Sequence, residues 1–233
     1  MPRTTKPRTT KSASRARQDY IKALYALGGD RAVVSTSSVA ARVGVSAPSA
    51  TNMLRQLARD GLAVLAPGKG ARLSAAGRHV ALQMVRRHRI LETFLVRILG
   101  LDWSVVHEDA EVLEHHISDR VLEAIDRICG RPHEDPHGHP IPDRRGRLRA
   151  RHLRPLASLA VGAHATVREI RDADGRRLAR WKQAGLVPGA RVQVREVRTL
   201  EDVFELVVGR HRLVTGSEGL EGVMVEPRRS RPA

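Results

Sequence analysis

The residues with the most chemistry to offer lie together at 107–116, His-Glu-Asp-Ala-Glu-Val-Leu-Glu-His-His, in a chain otherwise rich in arginine. On a helix, His107, Glu111, Glu114 and His115 fall at i, i+4, i+7 and i+8, so their side chains project from one side. Val106, Ala110, Leu113, Ile117 and Val121 run beside them at helical period, which predicts a helix that buries one face and offers oxygen and nitrogen donors from the next. His88 and Glu92 form another i, i+4 pair, and Asp19 opens the first helical pattern. From 102 to 126 there are eight acids (Asp102, Glu108, Asp109, Glu111, Glu114, Asp119, Glu123, Asp126) against Arg120 alone. Such crowding costs self-repulsion that a bound cation relieves. Carboxylates and imidazoles without thiolate suit a hard or borderline divalent ion such as Mn²⁺ or Fe²⁺. Cys129 is the single cysteine, which excludes an internal disulfide and any all-thiolate zinc or iron–sulfur site. It reads as a small, partly buried hydrophobe. Plainer uses exist for some donors: Asp19 near a helix N-terminus favours the macrodipole without any ion, and His88 beside Arg86, Arg87 and Arg89 fits a basic surface. His116 lies off the stripe.

The elements that must position these donors can be read from apolar period and caps. Ile21, Leu24 and Tyr25 share one side of a first helix from Gln18 that ends at Gly28-Gly29. Ser37-Ser38 cap a short helix through Val39 and Val43, Gly44-Val45-Ser46 makes a tight turn, and a third helix opens at Ala47-Pro48, where proline suits the first turn. In that third helix Ala50, Met53, Leu54 and Leu57 face inward, and Ser49, Thr51, Asn52, Arg55 and Gln56 face outward. This is a helix-turn-helix with its recognition surface exposed. Leu62–Leu65, the turn Pro67-Gly68-Lys69-Gly70 and Ala71–Leu73 then read as a hairpin, a basic wing. Ser46, Pro48, Ser49, Thr51 and Asn52 are the candidates for reading base edges, and Arg55, Arg59, Lys69 and Arg72 those for holding phosphates. Ser46 also fits an N-cap, a role compatible with base contact. A long helix from Ser74–Gly77 to about Leu99 carries His88 and Glu92. Gly100-Leu101-Asp102 ends it, and the donor-bearing helix begins near Ser104.

The 233 residues hold 41 Lys+Arg against 25 Asp+Glu, and a formal charge of +16 makes a polyanion, nucleic acid first, the expected partner. No apolar run reaches the roughly 18 residues of a spanning helix. The N-terminus lacks the apolar stretch of a signal peptide, so a cytoplasmic protein is expected. Residues 1–17 read as a disordered basic tail. His133–Arg154, with its Pro, Gly and charge and with six arginines from Arg144 to Arg154, reads as an unpacked linker. Thereafter the period shortens: Thr166–Ile170, Arg191–Val194, Val203–Val208 and Val223–Val225 predict a small β-barrel. The expected fold is mainly α with a small β domain. Its parts are a tail (1–17), a winged helix-turn-helix (18–76), a metal-binding helical domain (77–142), an Arg-rich linker (143–155) and the β domain (156–228).

This order of segments resembles the diphtheria toxin repressor family of metal-dependent transcriptional regulators, and within it the manganese-responsive branch, over residues 17–228. The likeness is carried by Asp19-Tyr20-Ile21 with Leu24-Tyr25, Val45-Ser46-Ala47-Pro48-Ser49, Arg59-Asp60-Gly61-Leu62 and His88-Arg89 with Leu91-Glu92. Gly100-Leu101-Asp102, Val106-His107-Glu108, Glu114-His115-His116-Ile117-Ser118 and Pro136-His137-Gly138-His139-Pro140-Ile141-Pro142 continue it. Gly185-Leu186-Val187-Pro188-Gly189 looks like part of the family's SH3-like domain. The resemblance implies a second domain that dimerises and binds metal. Asp19 stands where the manganese branch has Asp and the iron branch Met, and Glu111 where the iron branch has Cys. Both choices put a hard oxygen in place of sulfur. His88, Glu114 and His115 match ligands common to the family, and His107 and Glu92 its ancillary site. Lys22 stands where some two-domain manganese regulators carry a ligand Glu, so a second ion is expected at Glu92 with His107 or His137 and a carboxylate such as Asp174.

The expected function is a Mn²⁺-dependent transcriptional repressor that binds operator DNA as a homodimer when loaded, serves metal homeostasis and performs no catalysis. An Fe²⁺-responsive repressor of the same family is one alternative. Another is a winged-helix regulator sensing a small organic ligand, with the acidic helix merely exposed. A metal-dependent hydrolase or nuclease using His137 or His139 as acid or base is the enzyme reading, disfavoured because the helix-turn-helix supplies a complete role without chemistry.

Overall fold

The computed structural model describes residues 15–171 and 174–228. The first of two units extends to Met84 and holds helices α1 (Arg15–Ala26), α2 (Thr36–Val43) and α3 (Ala47–Arg59) and the hairpin of β1 (Ala63–Ala66) with β2 (Gly70–Leu73). Its core is Ile21, Leu24, Val39, Ala50, Leu54 and Leu57, apolar positions on the helices, with Leu73 from β2, all buried. Two details depart from expectation. Helix α1 begins at Arg15, so Arg15–Arg17 belong to it, and Arg17 pairs with Asp60 at the end of α3; the rest of the expected tail lies outside the described residues. Ser35, not Ser37 or Ser38, caps α2, its Oγ accepting the Ser38 N–H at 3.1 Å. Both later serines lie in the first turn. Gly44 ends α2 at φ 75°, a left-handed conformation that glycine adopts without strain. The α3 cap is as expected, with Ser46 Oγ accepting the Ser49 N–H at 3.4 Å.

Helix α4 (Ala75–Arg97) continues into the second unit, where it packs with α5 (Val106–Leu113) and α6 (Asp119–Ile128). Ile90, Leu91, Leu95, Val106, Ala110, Leu122 and Ile125 form that core. The donor-bearing helix is shorter than its period suggests. Ser118 caps α6, accepting the Val121 N–H, and Asp119 favours the new N-terminus, so the chain turns over 114–118 and Val121 lies exposed on α6.

The expected linker is packed in its first half. Asp135 Oδ1 accepts the N–H groups of His137 and His139, both at 2.9 Å, Glu134 bridges Pro140, and Asp135, His137 and Ile141 are buried. A carboxylate that satisfies its own loop's amides lets a Pro- and Gly-rich segment be buried without orphaned donors. Gly138 makes the close approach possible: its φ is +84°, and a Cβ there would lie 1.9 Å from the Arg168 carbonyl oxygen.

The C-terminal part is one antiparallel sheet in the order β3-β8-β4-β5-β6-β7. Its strands are β3 (Arg154–Pro155), β4 (His164–Ile170), β5 (Arg191–Arg198), β6 (Val203–Val208), β7 (His211–Thr215) and β8 (Val223–Pro227). Phe204, Leu206 and Val208 alternate inward on β6. An unexpected helix, α7 (Gly175–Gln183), is capped by Asp174 and buries Leu178 and Trp181. Two large apolar residues in nine are too few to reveal a period. Trp103, from the loop between α4 and α5, is buried in this β core. Among the described residues no helix is long and apolar enough to cross a membrane.

The same loop carries a surface latch. The Lys182 ammonium and the Ser104 hydroxyl and amide hold Asp102 at a pKa of about 2. A lowered carboxyl pKa stabilises the fold above the ordinary carboxylate range and loses that contribution as pH falls through about 2. The side chain is 43% exposed, so solvent screening limits the pair to less than about 1 kcal/mol. Asp102→Asn is therefore expected to lower stability by under about 1 kcal/mol at neutral pH and to leave it unchanged below the folded pKa, as read by urea unfolding at the two pH values.

Candidate metal centre and nucleic-acid surface

His88 lies at the middle of the donor cluster, 8% exposed. One ring nitrogen, Nδ1, is 2.8 Å from Glu114 Oε2 and 4.0 Å from Glu111 Oε1. The other, Nε2, is 3.0 Å from Glu92 Oε1 and 3.1 Å from His107 Nδ1. The helical spacing accounts for this: His88 and Glu92 share a face of α4, and His107 and Glu111 a face of α5, with His107 Nε2 3.8 Å from Glu111 Oε1. Glu114 follows at the C-cap of α5, and His115, in the turn beyond, lies with Nε2 3.6 Å from Glu114 Oε1 and its side chain 5% exposed. The expected single stripe is thus two donor groups that share His88, namely His88/Glu92/His107 and His88/Glu111/Glu114.

Burial works to raise the Glu92 carboxyl, but hydrogen bonds from His107, His137 and His88 outweigh it and hold the group well below the ordinary carboxylate range. His137 reaches this carboxylate from the packed segment, with Nδ1 3.9 Å from Glu92 Oε2. Its Nε2–H donates to the Trp103 carbonyl at 2.9 Å, and its ring stacks on Trp103 at 5.1 Å. Burial lowers the His137 pKa, and the Glu92 and Asp135 carboxylates with the Trp103 carbonyl more than reverse that, leaving it raised. In the neutral ring the Trp103 bond fixes the proton on Nε2 and turns the Nδ1 lone pair towards Glu92, the arrangement in which an outer carbonyl orients a metal-binding histidine.

Of a third group, Asp135/His137/His139, only His137 was expected as a ligand, and that towards Glu92; Asp135 and His139 were not, although the i, i+2, i+4 spacing was a signal. Asp135 is already engaged: Oδ2 lies 3.1 Å from His139 Nδ1 and 3.5 Å from Arg89 Nε, and Oδ1 holds two amides. Asp174 caps α7, accepting the Arg176 N–H at 2.8 Å, and falls in none of the three groups. Asp19 stands on α1 in the first unit.

In the first unit, Ser46, Pro48, Ser49, Asn52, Arg55 and Arg59 are exposed along α3, and Lys69 and Arg72 on the hairpin. Thr51 is half-buried and donates to the Ala47 carbonyl at 2.9 Å. A groove of about 630 Å³ separates α3 from the hairpin turn, lined by Thr36, Thr51, Arg55, Leu65, Pro67 and Lys69 among others. Ser35 and Ser37 also line it; the sequence pattern assigned Ser37 only a capping role and Ser35 and Thr36 none. Short polar groups inside and cations at the rim match the division between base reading and phosphate holding.

Comparison with known proteins covers nearly the whole chain. Residues 13–71 match the iron-dependent repressor N-terminal DNA-binding domain, residues 74–143 the iron-dependent repressor metal-binding and dimerisation domain, and residues 154–227 the FeoA domain. The chain is 27% identical to the iron-dependent repressor IdeR of Mycobacterium leprae over 220 residues, 89% of this chain and 95% of that protein. It is 37% identical to the transcriptional regulator MntR of Escherichia coli over 106 residues, 46% of this chain and 68% of that protein. A solved manganese-dependent transcriptional repressor, in complex with manganese, aligns with a TM-score of 0.83 at 37% identity, covering 91% of this chain and all of that one (100%).

Proposed function

The chain belongs to the diphtheria toxin repressor family of metal-dependent, DNA-binding transcriptional repressors, which are not enzymes, and from that premise we propose that its effector ion is Mn²⁺. The observation that carries this reading is Glu111, an oxygen donor facing His88 beside Glu114 where a sulfur donor would favour a softer ion. Cys129, the only thiol, is buried at the end of α6 and belongs to none of the donor groups. A relative named for iron and a solved structure named for manganese both occur, so the donor chemistry has to decide.

In this reading Asp19, Glu111, Glu114 and His115 hold the regulatory ion, and His88 with Glu92 and His107 forms an ancillary site that His137 completes, with Asp174 as a further carboxylate. A neutral imidazole has one lone pair, so His88 lends it to one site and donates its N–H to the carboxylate of the other. The bound ion supplies positive charge among buried carboxylates. Asp19 would share that ion with Glu111, Glu114 and His115, which would tie its state to α1, itself packed against α3 in the first core. In a homodimer this sets the spacing of two recognition helices to one DNA turn, roughly 34 to 36 Å. Ser46, Pro48, Ser49, Thr51 and Asn52 then read bases while Arg55, Lys69 and Arg72 hold phosphates, in the cytoplasm, on operators of metal-homeostasis genes. Linkage requires the DNA to tighten the ion in return.

The test compares Mn²⁺ with Fe²⁺ anaerobically at equal free concentration, measuring ion affinity by calorimetry and DNA affinity by anisotropy. Mn²⁺ is expected to raise DNA affinity by about 5- to 150-fold and to exceed Fe²⁺. A larger Fe²⁺ response makes the protein an iron regulator. No ion binding at micromolar levels would favour the small-organic-ligand reading.

A further inference from the structure

Arginine is most concentrated where neither the metal centre nor the winged helix uses it. Six arginines lie between Arg144 and Arg154, and no acid occurs from Arg144 through Arg168. The preceding stretch, 77–142, holds more Asp and Glu than Lys and Arg, so this charge is not a local sample of a basic chain. The segment is also built. Asp143 Oδ1 accepts the N–H groups of Arg145 and Arg147, both at 2.8 Å, and Asp143 and Arg147 close a turn through the Asp143 N–H and the Arg147 carbonyl at 2.9 Å. Arg144 pairs with Glu123 before the turn, and Arg151 pairs with Glu134 and donates to the Gly138 carbonyl after it. Between these anchors Gly146 is buried and Leu148 half-buried, while Arg145, Arg147 and Arg149 are exposed. Arg145 lies within that turn, Gly146 follows at φ 72°, and Arg147 and Arg149 come after it, so three exposed guanidinium groups crowd into five residues. Arg147 shares Asp143; among the described residues neither Arg145 nor Arg149 has an acidic partner.

Exposed like charges this close along the chain repel one another unless a polyanion lies against them, and of the three only Arg147 has a carboxylate beside it. We propose that the strap at 143–154 is a second DNA contact, in which Arg145, Arg147 and Arg149 bind duplex phosphates without reading sequence. Guanidinium forks suit phosphate oxygens. The strap has no Phe, Tyr or Trp on which successive unpaired bases could stack, His152 being its one ring, which argues for a duplex over a single strand.

The experiment uses the full chain with a random-sequence DNA duplex, so that no operator is needed, and follows the binding constant by anisotropy as KCl rises. Arg145→Gln/Arg147→Gln/Arg149→Gln is compared with Arg191→Gln/Arg195→Gln/Arg210→Gln, which removes equal charge from exposed positions of the β domain. The strap variant should reduce the slope of log affinity against log salt by about 2.7, roughly 0.9 for each phosphate that is no longer neutralised, while Arg→Lys at the same three positions restores it and the β-domain variant leaves it nearly intact. An unchanged slope, an equal loss in the β-domain variant, or a loss confined to a single-stranded RNA probe overturns the proposal.

Discussion

Replacing Glu111 with alanine is expected to abolish the Mn²⁺ response of DNA binding while leaving salt-sensitive, sequence-independent association in place. Glu111 is the donor best suited to such a test. Its side chain is 40% exposed, so truncation opens no cavity and leaves the core of Ile90, Leu91 and Val106 untouched. Glu114 is a poorer choice, because it is 4% exposed and hydrogen-bonded to His88, and its loss would strand a buried imidazole. With one anionic ligand gone, ion affinity falls and the coupling between ion and DNA is lost, so a stimulation of about 5- to 150-fold should collapse to about onefold. His116, exposed and outside every donor group, supplies the control: His116→Ala should keep the full response. Glu111→Cys sharpens the chemistry, since a thiolate in place of the carboxylate should weaken Mn²⁺ relative to Fe²⁺ and Zn²⁺. Calorimetry and anisotropy on the three variants read all of this. A Glu111→Ala protein that still responds to Mn²⁺ would sink the proposed role of this residue.

What the sequence revealed depended on whether the deciding interaction was local. The winged helix was legible because its caps and apolar positions lie within a turn or two of each other, as with Ser46 before Ala47-Pro48 and Leu54 with Leu57 on one face of α3. The donor pairs His88/Glu92 and His107/Glu111 were legible for the same reason. That donors of the two helices meet was expected as well; that His88 is shared between two groups was not, because it depends on how α4 and α5 cross. The period of 106–121 also concealed the break at Ser118, since a cap and a helix-interior serine look alike until the chain turns. Segment 133–142 misled most: Pro, Gly and charge ordinarily mark solvent-exposed loops, and only the Asp135 carboxylate, satisfying two amides of its own loop, makes that composition compatible with burial. Trp103 left no signal at all. A lone tryptophan beside Asp102 gives no hint that its neighbours are strands starting some sixty residues later.

That tryptophan carries the second large effect: Trp103→Ala is expected to destabilise the fold by about 3 to 5 kcal/mol, the range for emptying a large aromatic site in a core. The loss is one of packing alone, because the buried Trp103 Nε1 has no hydrogen-bond partner among the described residues and its carbonyl, which accepts from His137, survives substitution. Trp103→Phe should therefore recover most of the stability, to within about 1.5 kcal/mol of the wild type. Gly138→Ala strikes the same junction from the other side. There His137 accepts the Ile170 N–H at 2.9 Å, and the new methyl would meet the Arg168 carbonyl at 1.9 Å. Because both changes loosen one packed surface, the double variant should cost less than the sum of the two. Urea unfolding followed by the fluorescence of Trp181, the remaining tryptophan, buried at 4% exposure in the same β core, measures each step. A midpoint for Trp103→Ala equal to that of the wild type would mean that the loop does not hold the β core as its burial requires.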